Sequence, residues 1–138
     1  MKYVLEEEYD YDFKLIGISC HDKDYRLCWA INQKLKFNLE KEDKDLEILS
    51  DNPFEGSSHS MYSYFDEEDQ NEFFLIGNRD GTGYLIPEQR QADFVLLVKE
   101  ALPSDLTPMV DKLKEIELIL TAFNISVDAL KSKKNLIF

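Results

Sequence analysis

The stretch MYSYFDEEDQNEFFLIGNRDGTGYLIPEQRQADFVLLVK, residues 61–99, decides the fold class. Residues 61–65 and 72–78 read as two strands, and the acidic loop 66–71 between them has a length that suits an antiparallel hairpin. In 79–83 (RDGTG) the Asp80-Gly81 pair supplies the positive φ of a tight turn. Residues 84–86 are expected to be extended because Ile86 precedes Pro87. Residues 94–99 (FVLLVK) form another strand.

Towards the N-terminus, 13–20 (FKLIGISC) is rich in β-branched residues and reads as a buried first strand. A turn at 21–23 follows, with Asp22 as candidate N-cap of a helix over 25–36. That helix places Leu27, Ile31 and Leu35 on one apolar stripe, with Cys28 beside it. Residues 41–45 (KEDKD) read as a charged loop, 46–49 as a short edge strand, and 51–60 as turn chemistry throughout. Towards the C-terminus, a second helix starts within 103–107, with Ser104, Asp105 or Thr107 as cap and Pro108 in its first turn. Its stripe is Leu106, Met109, Val110 and Leu113. Residues 116–125 fit both a continuation of that helix and a strand, and their β-branched content favours the strand.

The expected fold is a single α+β domain over 1–138, a mainly antiparallel open sheet of about five strands with two helices packed on one face. Two helices are too few for the crossovers of a parallel α/β sheet. Residues 1–12 are expected to be partly ordered, and 131–138 to be a C-terminal tail.

The chain has 138 residues and a net charge of −12, from 28 acids against 16 bases. Such a charge disfavours nucleic acid, which demands a basic face that releases counterions, and disfavours anionic membranes. The acidity is uneven: residues 1–69 hold 18 acids against 8 bases, whereas 70–138 hold 10 against 8. Hydrophobic residues make up 43%, enough for a core, but no apolar run approaches the length of a membrane span or a signal peptide. Two cysteines make no disulfide framework, so the expected location is the cytoplasm, where thiols stay reduced.

Cys20, His21 and Cys28, with His59 as a remote fourth, match no zinc spacing, and no metal or cofactor is expected. Cys20 and His21 are neighbours whose side chains diverge in a strand, which works against a nucleophilic dyad. Asp66, Glu67, Glu68 and Asp69 lack the spacing and glycine of an EF-hand loop. The glycines of 77–83 precede neither a Gly-Lys-Ser/Thr sequence nor a helix start. No catalytic residue is assigned, and the chain leans away from being an enzyme.

The unusual segment is YLIPEQRQADF, residues 84–94, in which Pro87 is followed by mixed polar residues and an acid heading an apolar strand. Its Ile86-Pro87-Glu88 triplet and Asp93-Phe94 pair resemble the signature of a small bacterial family named for an Ile-Pro-Glu and Asp-Tyr motif, with Phe94 where the family has tyrosine. The resemblance implies a chain of similar length and carries over no activity, since the family has no assigned function. Two readings stand for the motif. In one, Pro87 stiffens a turn, Glu88 or Asp93 accepts backbone hydrogen bonds and Phe94 enters the core. In the other, Glu88, Arg90, Gln91 and Asp93 present a polar patch on a rigid loop, as recognition sites do.

The end of the chain combines Lys131, Lys133 and Lys134 with the apolar Leu136, Ile137 and Phe138. Exposed apolar ends invite association, so this tail is expected to pack on the domain, across a homodimer or on another protein. The resulting expectation is a non-enzymatic cytoplasmic interaction or regulatory domain whose partner is another protein or a second copy. The alternative is a small-molecule-binding protein or enzyme with a pocket near 86–94, which requires a ligand-sized cavity lined by Glu88 and Asp93.

Overall fold

The computed structural model describes residues 12–48, 56–80 and 83–138. The expected order of residues 1–12 therefore lies, but for Asp12, outside the described residues, as do parts of the turns at 51–60 and 79–83. Strands β1 (Phe13–Ser19), β2 (Glu40–Lys41), β5 (Met61–Asp66), β6 (Asn71–Gly77), β9 (Phe94–Lys99) and β10 (Thr121–Ile125) form one sheet in the order β10-β1-β9-β6-β5-β2. Every pairing in it is antiparallel. Helix α1 (Asp24–Leu35) follows β1, and helix α2 (Thr107–Lys114) follows β9. Two small hairpins complete the fold, β3 (Leu46–Ile48) with β4 (Ser57–His59), and β7 (Arg79–Asp80) with β8 (Gly83–Tyr84). The α+β antiparallel architecture is the expected one, with a sixth strand added to the sheet.

Burial follows the two-residue period of the strands. Ile16, Ile18, Phe73, Leu75, Leu96 and Val98 point to the face covered by Leu27, Cys28 and Ile31 of α1 and by Val110 and Leu113 of α2. Leu15, Ile76, Val95 and Leu97 point the other way, into a second cluster closed by Leu85, Ile86, Ala92, Leu130 and Leu136. Burial on both faces is why 94–98 is apolar without alternation. Gly17 of β1 lies directly opposite Phe123 of the neighbouring strand β10, and a Cβ there would lie 2.6 Å from the Phe123 ring. No larger residue fits without moving that ring.

Several local expectations are corrected. Lys41, expected to open the charged loop 41–45, is instead strand together with Glu40, because the two pair with Tyr62 and Ser63 of β5. Residues 46–48 are a short strand, as expected, but their partner 57–59 is also strand and not turn, and the two form a hairpin separate from the main sheet. The N-cap of α1 is Lys23; Asp22 instead accepts from the Lys23 amide and pairs with Arg26 at 3.1 Å. Helix α2 starts from Leu106 without a side-chain cap, and Asp105 accepts the Thr107 amide and hydroxyl just before it. Residues 116–119 turn, through bonds from the Ile116 amide to Leu113 and from the Ile119 amide to Ile116, so only 121–125 is strand. Among the described residues, no helix is long and apolar enough to cross a membrane.

Candidate functional site

The 84–94 segment is wound around one side chain, Asn78, which is fully buried at the end of β6. Its Nδ2 donates to the carbonyls of Gln89 at 2.9 Å and Ala92 at 2.8 Å, and its Oδ1 accepts the Ile86 amide at 2.7 Å. The Asn78 main chain adds bonds to Asp93 and Leu85. A loop with apolar Leu85, Ile86 and Ala92 inside leaves backbone polar groups in the core, and this amide satisfies three of them. Pro87 then lies exposed at the outer corner of a turn closed by the Gln89 amide on Ile86.

The two carboxylates of the motif face different neighbours. Asp93 Oδ2 accepts the Cys20 amide at 2.9 Å, and Asp93 Oδ1 lies 3.2 Å from Arg79. Asp93 thereby fastens the turn between β1 and α1. Glu88 reaches forward instead, accepting the Lys131 amide, the Ser132 amide at 3.0 Å and the Ser132 hydroxyl at 2.7 Å. Burial pushes the Glu88 carboxyl up, but these donors outweigh it and hold the group below the usual carboxylate range. Arg90 stacks over the Tyr84 ring at 5.2 Å, Gln91 bonds Gln89, the Gln91 carbonyl accepts from Ser19, and Phe94 is core.

Tail residues divide in the same way. Leu136 is 1% exposed in the second cluster, whereas Ile137 and Phe138 are 40% and 45% exposed. Phe138 packs edge-on against Phe74, with Lys99 over both rings. Lys131, Lys133 and Lys134 border the 3₁₀ turn Lys133–Leu136 or lie within it, and Asn135 donates to the Leu85 carbonyl at 3.1 Å.

Two of the surface depressions among the described residues bear on the candidate site. A cleft of about 330 Å³ is bordered by Cys20, His21, Arg79, Asp93 and Phe94. Glu88 is not part of its wall, so the motif's carboxylates do not converge on one cavity. Both cysteines are free and buried, and burial pushes Cys20 up and Cys28 up to about 11, away from the reactive thiolate. His59 is buried in β4 with Nδ1 2.7 Å from the Gly77 carbonyl and Nε2 2.7 Å from the Ser57 hydroxyl. It is thus a structural neighbour of β6. Among the described residues no three His, Cys, Asp or Glu side chains are grouped to hold a metal ion.

The larger depression, about 790 Å³, runs along the outer side of α1 against residues 116–118. Tyr25 and Trp29, one helical turn apart, line it while 62% and 66% exposed. Sequence reasoning missed this groove. Its signal was an aromatic pair at i, i+4 that falls off the Leu27–Ile31 stripe of the same helix. It also missed Asn78, whose sign was a lone amide closing the apolar run FFLIG. No protein-family model matches this chain, and neither does any curated protein or solved structure.

Proposed function

We propose that this domain acts by binding another protein, as a non-enzymatic module of the cytoplasm, and that the partner docks in the groove beside α1. The observation that carries this reading is the pair Tyr25 and Trp29, two large rings two-thirds exposed on a helix whose opposite side is fully buried. Aromatic rings that stay wet in the free protein are the usual anchors of a protein interface. The partner's chemistry follows from charge. A body of net −12 attracts a basic protein, while the groove's own cations are neutralised locally, Arg26 by Asp22 and Lys34 by Glu115. The occupant is therefore a basic segment whose apolar side chains pack on Tyr25 and Trp29. Free, buried cysteines support the cytoplasmic assignment. The motif of 86–93 supports affiliation with the Ile-Pro-Glu family, as a structural signature and not as a reactive site.

Trp29 is the chain's one tryptophan, so its emission reports on the groove. Wild-type protein and the Tyr25→Ala/Trp29→Ala variant serve as baits, after matching melting curves establish that both are folded. A basic protein retained by the first and lost by the second, which then blue-shifts Trp29 emission when titrated in purified form, is the expected result. Identical captured sets, or a purified partner that leaves the emission unchanged, overturns the assignment of the groove.

A further inference from the structure

The main sheet ends differently on its two sides. On one side β2 is two residues long, Glu40 and Lys41, and both side chains are charged. Short, charged edges are how sheets avoid recruiting foreign strands. On the other side β10 runs for five residues, TAFNI, with no charge and no proline, and among the described residues it pairs only with β1. In such a strand every second residue turns its N–H and C=O towards the open side. The exposed side chains along it are the small polar ones of Thr121 and Asn124.

This edge continues the α1 groove. Ile116, Glu117 and Leu118 line the groove, Leu120 is 63% exposed, and β10 begins at the next residue. Charge along the stretch has one sign. Residues 115–130 include Glu115, Glu117 and Asp128 and no lysine or arginine. Of the cations beside them, Lys34 is paired with Glu115 at 2.6 Å and Lys14 with Glu100 at 3.9 Å.

We infer that β10 is a strand-addition site, along which the basic partner of the α1 groove lies extended, main chain against main chain. The partner's chemistry rests on the reading of the groove, whereas the mode of pairing rests on β10 itself. The edge supplies affinity through main-chain hydrogen bonds that any sequence can make, and the groove selects side chains that pack on Tyr25 and Trp29. Glu117 and Asp128, exposed before and after the strand, attract the flanking bases of such a segment. A second copy fits less well, because an antiparallel pair of β10 strands would bring the Glu117 end of one chain to the Asp128 end of the other.

Short random peptides displayed on phage are selected against the full chain, and the enriched peptides are synthesised. They should be basic, slow the exchange of alternate amides within 121–125, and blue-shift Trp29 emission. N-methylation of alternate peptide residues, which removes strand donors, should weaken binding about tenfold or more. Thr121→Lys/Asn124→Lys puts charge on two exposed side chains, leaves the core intact, and should weaken binding as well. The Tyr25→Ala/Trp29→Ala variant separates the two readings. Peptides that need the two rings but leave exchange within 121–125 unchanged overturn the edge and spare the groove. Peptides that slow those amides equally in the variant keep the edge and overturn the groove. Failure to enrich any peptide overturns the inference. So do amides of 121–125 that are all slow in the free monomer, or that slow only as the chain dimerises, since this chain then closes its own edge.

Discussion

The two faces of the sheet are both buried, yet they are closed by different means. On one face, α1 and α2 satisfy their own backbones and contribute almost nothing but apolar side chains, among them Leu27, Ile31, Val110 and Leu113. On the other, irregular chain lies over the sheet, and each turn of it needs a polar partner: Asn78 for residues 86–92 and Glu88 for residues 131–132. A face covered by helices is held by area and packing. A face covered by loops is held by a few side chains that stand in for missing secondary structure.

The comparison breaks most visibly in the helical layer. Leu27 is fully buried between α1 and the sheet. Leu27→Ala should cost about 3 kcal/mol, within the range of about 2–5 for leucine truncations that leave a cavity. Denaturant unfolding measures it. A loss below about 1 kcal/mol would mean that α1 settles into the gap and that this face is less tightly packed than its burial implies.

Asn78→Ala probes the opposite face by chemistry instead of volume. It removes the partner of the Ile86 amide and of the Ala92 carbonyl, and one of the two donors to the Gln89 carbonyl, which keeps the Ala92 amide, in a segment that is largely buried. The expected cost is about 2–3 kcal/mol, on the scale of unpaired buried groups. Amide exchange at Ile86 should rise well before exchange at Leu96 in the sheet centre. Equal acceleration at both sites would show that the loop and the sheet open together and that the two layers are not separable.

This contrast also governs what was legible in the sequence. Helix α1 could be read because Leu27, Ile31 and Leu35 repeat at helical spacing, and β9 because five apolar residues run without interruption. Apolar side chains record where they point. Strand β2 could not be read: Glu40 and Lys41 are strand only by virtue of pairing with β5, and nothing in their own chemistry prefers an extended chain. At 116–119 apolar residues occur at both periods, and the chain buries Ile116 and Ile119 through successive turns that match neither. The site follows the same rule. That Glu88 or Asp93 would accept backbone hydrogen bonds was one of the two readings of the motif, but their donors lie 43 and 73 positions away, and a long-range partner leaves no local trace.

The smallest expected effect is also the one that separates the layers most cleanly, since it touches only the C-terminal strap, residues 130–138, which Leu130 and Leu136 anchor on the second face. The Glu88 carboxyl is held below its ordinary value of 4.5 because, despite the opposing effect of burial, the Ser132 hydroxyl and the surrounding amides favour its charged form. A carboxyl lowered by folding stabilises the fold above its unfolded-state pKa, and that contribution disappears as pH falls through the lowered folded value. The strap should therefore be fully latched at neutral pH and loosen below about pH 4.5, with no matching change at alkaline pH. Glu88 is exposed at the surface, so its share of global stability is small, on the order of 1 kcal/mol or less for Glu88→Gln. Global melting is consequently a poor readout. Exchange of the Lys131 and Ser132 amides is the direct one, because those are the protons the carboxylate holds. Their protection, corrected for intrinsic exchange, should fall with acidification in the wild type and be low and nearly independent of pH in Glu88→Gln. Amides of α1 should be unaffected in both across the range where the protein stays folded. If the two strap amides keep their protection in the variant, Leu130 and Leu136 hold the strap by burial alone, and the two faces of the sheet are closed by the same force after all.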